Sequence, residues 1–127
     1  MENLIIEKTQ STPHIVLDAG LNILSIRGES FPENPAKFYA PILNWIKDFI
    51  EGIDRQEVRV DFEILYFNSS TSKVFMTIFD LLDKAVENGK KISVNWHCDK
   101  KNDTVIECGE EFKEDIKKLP FNIIIRG

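Results

Sequence analysis

The residues from Val58 to Lys90 constrain the fold of this chain more than any other stretch. In Val58-Arg59-Val60-Asp61-Phe62-Glu63-Ile64 every second residue is apolar, which a pleated strand converts into one buried and one polar face. The alternation stops at Ile64-Leu65-Tyr66-Phe67, which is apolar on both faces and predicts a strand end covered on both sides of a sheet. Asn68-Ser69-Ser70-Thr71-Ser72-Lys73 follows. Beyond it Val74, Phe75, Ile78, Phe79, Leu82, Ala85 and Val86 recur at helical spacing, so the hydroxyls sit at a helix N-terminus.

A hydroxyl there has an ordinary use. Ser, Thr and Asn side chains accept a hydrogen bond from an amide that the first helical turn leaves unpaired. One such residue completes the cap, whereas this chain supplies four consecutive hydroxyls, Ser69 to Ser72, at the carboxyl end of a strand, where open α/β sheets place their sites. A phosphate on one of them would meet free amides and the positive end of the helix dipole, with Lys73 close by.

The remaining elements frame this unit. Leu4 to Glu7 is short and apolar, and Thr9 to Pro13 reads as a loop. His14-Asp18 and Leu21-Arg27 read as a hairpin around Asp18-Ala19-Gly20. Gly28 to Pro35 is rich in turn formers, and Asn34 before Pro35 is an N-cap followed by proline at the first helical position. Phe38, Ile42, Trp45, Ile46, Phe49, Ile50 and Ile53 form that helix's apolar stripe; Pro41 requires either a kink or a regular helix that begins near Ala40. Lys91 to His97 resumes strand alternation, with Ile92, Val94 and Trp96 toward the core, and Cys98 to Asp103 reads as a polar loop. Thr104 to Lys118 reads as a third helix with Val105, Cys108, Phe112, Ile116 and Leu119 as its stripe, stopped by Pro120, and Phe121 to Ile125 as a last strand. The order predicts an α/β domain spanning residues 1–127, with a mixed sheet, parallel crossovers and about three helices. Phe62, Ile64, Phe75, Ile78, Phe79, Leu82, Val94, Trp96, Phe112 and Phe121 are its expected core.

Composition narrows the function. With 127 residues, 43% hydrophobic and 29% charged, the chain can bury a core without staples. A net charge of −5 with scattered lysines argues against a nucleic-acid-binding surface. No stretch has the length of a membrane span and no basic-then-apolar leader is present, so the expectation is a cytoplasmic protein without direct membrane insertion. Two cysteines are too few for a disulfide framework. His97, Cys98, Asp99 and Cys108 are of metal-ligating type, but Cys108 falls on a helical stripe and no CxxC pair exists, so no metal and no cofactor are expected. Neighbours on a strand point to opposite faces, which separates His97 from Cys98 as a base and nucleophile. Glu107, Glu110, Glu111, Glu114 and Asp115 read as a solvated acidic face that could dock a basic partner. There is no phosphate-binding glycine loop. No catalytic residues are expected, and a small enzyme is the least favoured class.

Five blocks, in order, resemble the SiaC family of bacterial regulatory phosphoproteins: Gln10-Ser11-Thr12-Pro13, Gly28-Glu29-Ser30-Phe31-Pro32-Glu33-Asn34, Leu65 to Lys73, Ile78-Phe79-Asp80-Leu81-Leu82, and Gly109-Glu110-Glu111-Phe112 with Leu119-Pro120-Phe121. The most distinctive is Tyr66-Phe67-Asn68-Ser69-Ser70. The resemblance implies a STAS-like fold, similar to that of anti-sigma-factor antagonists, and a protein without catalysis of its own. It implies a switch set by a Ser/Thr protein kinase and a PP2C-like phosphatase, whose unphosphorylated form binds and activates a diguanylate cyclase or another effector protein, in cyclic-di-GMP signalling and biofilm regulation. The family's acceptor follows the asparagine, which here is Ser69, with Ser70 and Thr71 as nearby alternatives. STAS-like relatives engage partners through this turn and helix, which implies contacts from Asn68, Ser70, Thr71, Lys73 and Thr77, on a side that continues to Lys84 and Glu87. The alternative function is an anti-sigma-factor antagonist that controls a sigma factor by partner switching.

Overall fold

The computed structural model describes residues 1–127. The elements in chain order are β1 (Leu4–Ile6), β2 (His14–Asp18), β3 (Ile23–Ser30), α1 (Pro35–Gly52), β4 (Glu57–Phe67), α2 (Ser69–Glu87), β5 (Lys91–Asp99), α3 (Asp103–Asp115) and β6 (Phe121–Arg126). The six strands form one sheet in sequence order, with β1, β2 and β3 antiparallel and β3 to β6 parallel. This is the expected mixed α/β sheet with three helices.

Because neighbours in sequence are neighbours in the sheet, each crossover advances in the same direction, and crossovers of one hand place all three helices on the same face. The expected double cover over the end of β4 therefore does not exist. Leu65 is 60% and Tyr66 53% exposed, while Ile64 and Phe67 turn toward the helices. The register of β3 against β4 shifts between Gly28 and Glu29, and the pairing skips Leu65. Gly28, at φ +117°, carries the strand through this irregularity, so β3 continues to Ser30 where the turn formers predicted a loop.

The covered face is aromatic. Phe62 on β4 packs against Phe75, Phe79 and Trp96, with ring centroids 5.1, 5.0 and 5.7 Å away. Phe79 also meets Phe112 at 5.2 Å and Phe121 at 5.1 Å. All ten expected core residues are buried. A Cβ at Gly109 would lie 2.5 Å from the Trp96 ring, so a glycine there lets α3 approach β5, and the Trp96 indole donates to the Val105 carbonyl at 2.9 Å.

Three local expectations change. α1 runs unbroken from Pro35 through Pro41, and its fully buried Tyr39 makes the spacing Tyr39, Ile42, Ile46, Phe49, Ile53 the true stripe, with Phe38 only partly buried. Cys98 is the buried, core-facing end of β5 and not part of a loop. α3 stops at Asp115, short of Pro120, because the amides of Lys117, Lys118 and Leu119 turn to the carboxylate of Asp83 on α2, at 3.0, 2.8 and 2.9 Å.

On the open face, Asp61 accepts bonds from Arg59 at 2.9 Å and from Asn95 at 3.2 Å, and it lies 3.2 Å from His97, whose other ring nitrogen meets Arg126 at 2.6 Å. Burial by itself pushes the Asp61 carboxyl up, but these bonds and the Arg59 charge outweigh it and hold the group below the usual aspartate value. No helix is long and apolar enough to cross a membrane.

Candidate functional site

All three helices begin the same way. Asn34 caps α1 by accepting from the Lys37 amide at 3.1 Å, Asn68 caps α2 by accepting from the Thr71 amide at 2.9 Å, and Asn102 caps α3 by accepting from the Val105 amide at 3.3 Å. The cap of α2 is therefore complete without Ser69, which occupies the first helical position. Ser69 and Ser70 are exposed. Their amides precede the first intrahelical hydrogen bond and have no acceptor within the helix. No acidic residue lies in this first turn to offset the positive end of the dipole, whereas α3 has Asp103 in the same place.

The turn sits at the carboxyl end of β4, as the sheet rule predicts. Of the residues expected to meet a partner, Ser70, Lys73 and Thr77 are exposed and Asn68 is half-buried. The Thr77 hydroxyl donates back to the Lys73 carbonyl at 3.1 Å. Thr71 departs from the expectation for both its roles. It is 0% exposed, and its hydroxyl donates to the Ser30 carbonyl at 3.0 Å with the Ser30 hydroxyl 3.1 Å away. It faces inward because it lies four positions, about one helical turn, before Phe75 and so shares the buried face of α2 with it, whereas Ser69 two positions earlier falls on the opposite side.

Two groups of residues at this end of the sheet escaped the sequence reading. The first is buried: the Ser30 hydroxyl also lies 2.7 Å from the Tyr39 hydroxyl, and burial pushes the Tyr39 phenol up to about 12, although its bond to Ser30 pulls the other way. Only the spacing from Tyr39 to Ile53 hinted at it. The second is exposed: Phe31 and Tyr66 pack edge to face at 5.8 Å beside Leu65. Their visibility follows from the one-sided cover of the sheet, which no local pattern encodes.

Other candidate chemistry disperses. His97 turns to the open face and Cys98 to the core, and no group of three metal-ligating side chains forms. Burial pushes both thiols up, that of Cys98 with help from Glu110 and that of Cys108 with help from Glu111 and Glu107. Both cysteines are free.

The model of the SiaC family regulatory phosphoproteins matches residues 6–126. This chain belongs to the SiaC family. An uncharacterized protein of Pseudomonas aeruginosa is 39% identical over 123 residues, 97% of this chain and 96% of that one. The structure of SiaC of Pseudomonas aeruginosa superposes with a TM-score of 0.91 at 37% identity, covering 99% of this chain and 100% of the other. The crystal structure of the diguanylate cyclase SiaD in complex with its activator SiaC, from the same organism, contains a chain similar at 37% identity with a TM-score of 0.90, covering 97% and 99% of the two chains. SiaC-family membership makes this chain a regulatory phosphoprotein by family, and it draws attention to the surplus hydroxyls of α2.

Proposed function

We propose that this chain is a phosphorylation-controlled partner-binding switch: its unmodified form binds and activates a diguanylate cyclase, a Ser/Thr protein kinase turns it off at Ser69, and a PP2C-like phosphatase restores it. The observation that carries this reading is the division of labour at the start of α2. Asn68 supplies the cap, so the exposed Ser69 hydroxyl is spare and stands beside unpaired amides at the positive end of a helix. The similarity to a SiaC seen with the cyclase it activates supports the choice of effector. In the transfer an O–P bond forms at Ser69 Oγ as the β–γ bond of the kinase's nucleoside triphosphate breaks; the diphosphate leaves and a base of the kinase takes the hydroxyl proton. The product places a charge of about −1.5 to −2 on a surface that the effector must desolvate, and the helix terminus tolerates it without melting.

Incubation with kinase and nucleoside triphosphate, followed by mass spectrometry, places the phosphate. Ser69→Ala should take up none and still bind the cyclase, and Ser69→Asp should bind it about tenfold more weakly or worse. Charge reversal at the exposed Lys73 should weaken binding while stability changes by less than about 0.5 kcal/mol. A phosphate found on Ser70 would keep the mechanism with a different acceptor; a chain with no modified residue from Ser69 to Ser72 would end it.

A further inference from the structure

Thr71, Ser30 and Tyr39 form a closed set of hydroxyls, each 0% exposed, drawn from three elements: α2, the end of β3 and α1. Four bonds converge on Ser30. Its hydroxyl lies 2.7 Å from Tyr39 Oη and 3.1 Å from Thr71 Oγ1; its carbonyl accepts from Thr71 Oγ1 at 3.0 Å and from the Asn68 amide at 3.2 Å. The start of α3 is tied to the sheet through other groups, the Asn102 side-chain amide donating to the Leu65 carbonyl at 3.0 Å and the Trp96 indole to the Val105 carbonyl at 2.9 Å, whereas α1 joins the Ser30 set through Tyr39. The set is also more than packing needs. A valine would fill the space of Thr71, and a buried hydroxyl with no partner would be costly, so the three survive together because each satisfies the others.

We infer that Thr71, with Ser30 and Tyr39, is the positioning element that holds the first turn of α2 in the shape a kinase accepts, so that the buried hydroxyl directs modification to its exposed neighbours. The inference rests on the proposed phosphorylation of that turn and specifies how it is controlled. The bonds of Thr71 fix the phase of the turn: with its side chain held inward on Ser30, the preceding positions Ser69 and Ser70 must point outward. They also fix its distance from the sheet, because Asn68 and Thr71 bind the same carbonyl. Release of the set would free the turn to sample other arrangements, and a kinase that needs one arrangement binds an ensemble more weakly in proportion to the fraction that is competent. The same carbonyl belongs to the residue before Phe31, whose ring stands beside Tyr66, so displacement of the turn would move that exposed aromatic pair as well.

The test is Thr71→Val, which keeps the shape and removes the hydroxyl, with Thr71→Ser as the conservative variant and Tyr39→Phe as an independent probe at the far end of the set. Amide hydrogen exchange on the full chain should quicken about tenfold or more at the paired amides of Asn68, Thr71 and Ser72 and at Phe31 in Thr71→Val, with exchange in the rest of β4 and in β5 unchanged. With the kinase, KM for this protein should rise about tenfold with kcat unchanged. Thr71→Ser should restore both, and Tyr39→Phe should shift both in the same direction by less. Wild-type exchange and wild-type KM in Thr71→Val would overturn the inference, as would a phosphate mapped to Thr71 itself. If wild-type protein takes up no phosphate at all, the proposed function fails, and hydrogen exchange in Thr71→Val still decides whether the hydroxyl set holds the turn.

Discussion

The two ends of α2 are built for opposite purposes. From Phe75 onward the helix is a structural member: Phe75, Ile78, Phe79, Leu82 and Ala85 are buried, and Asp83 anchors the segment between α3 and β6. In its first turn the same helix exposes Ser69 and Ser70 and holds them from beneath through Thr71. Domains derive most stability from apolar burial, so a modifiable turn is tolerated where few apolar atoms depend on it. The difference teaches that a site can be rigid in position and still contribute little to stability.

The sharpest way to break this division is at its stable end. Phe79 is 2% exposed and its ring meets rings from β4, α3 and β6 at 5.0–5.2 Å. Phe79→Ala should cost about 3–5 kcal/mol in chemical denaturation. A loss below about 1 kcal/mol would place the stabilising part of α2 elsewhere.

A smaller effect is expected at Asp83. Burial pushes its carboxyl up, but the three amides of Lys117, Lys118 and Leu119, with the Lys117 charge, outweigh this and hold it below the usual aspartate value. A group whose folded value is depressed contributes its full stabilisation above the unfolded value and loses it as pH falls through the folded one. Asp83→Asn should therefore cost about 1–3 kcal/mol at neutral pH. The gap from wild type should narrow below about pH 5, as the wild-type carboxyl protonates. A pH-independent gap would show that the amides need an acceptor there but not a charge.

How much of this was legible in the sequence depended on the range of the interaction. The core positions Phe62 and Phe79 followed from periods of two and 3.6, and Asn34-Pro35 announced α1 because caps and first-turn prolines are local. The run of hydroxyls from Ser69 to Ser72 was visible because it is contiguous, and the choice of Ser69 within it came from the resemblance to a family whose acceptor follows the asparagine. Tyr66 was misplaced because the side on which crossover helices land is set by strand order, not by the strand. The end of α3 was misplaced because Asp83 intercepts amides about thirty-five positions away. Thr71 looked like its neighbours for the same reason: its partner Ser30 is 41 residues distant, and a hydroxyl that locks a turn has the same letter as one that receives a phosphate.

The smallest effect belongs to Ser69, and its smallness is the informative result. If Ser69 were the helix cap, Ser69→Ala would cost about 1 kcal/mol, as Asn-to-Ala changes at such positions do. The cap is Asn68, whose side chain already takes the Thr71 amide at 2.9 Å, and Ser69 is exposed at the first helical position. There alanine is the better helix former, by a few tenths of a kcal/mol. Ser69→Ala should therefore leave stability within about 0.5 kcal/mol of wild type or raise it slightly, while Asn68→Ala costs about 1 kcal/mol. Denaturation of the two variants side by side separates the residue that holds the turn from the residue the turn presents. A loss of about 1 kcal/mol or more in Ser69→Ala would mean that the hydroxyl is structural, and the contrast between the two ends of α2 would fail at its first residue.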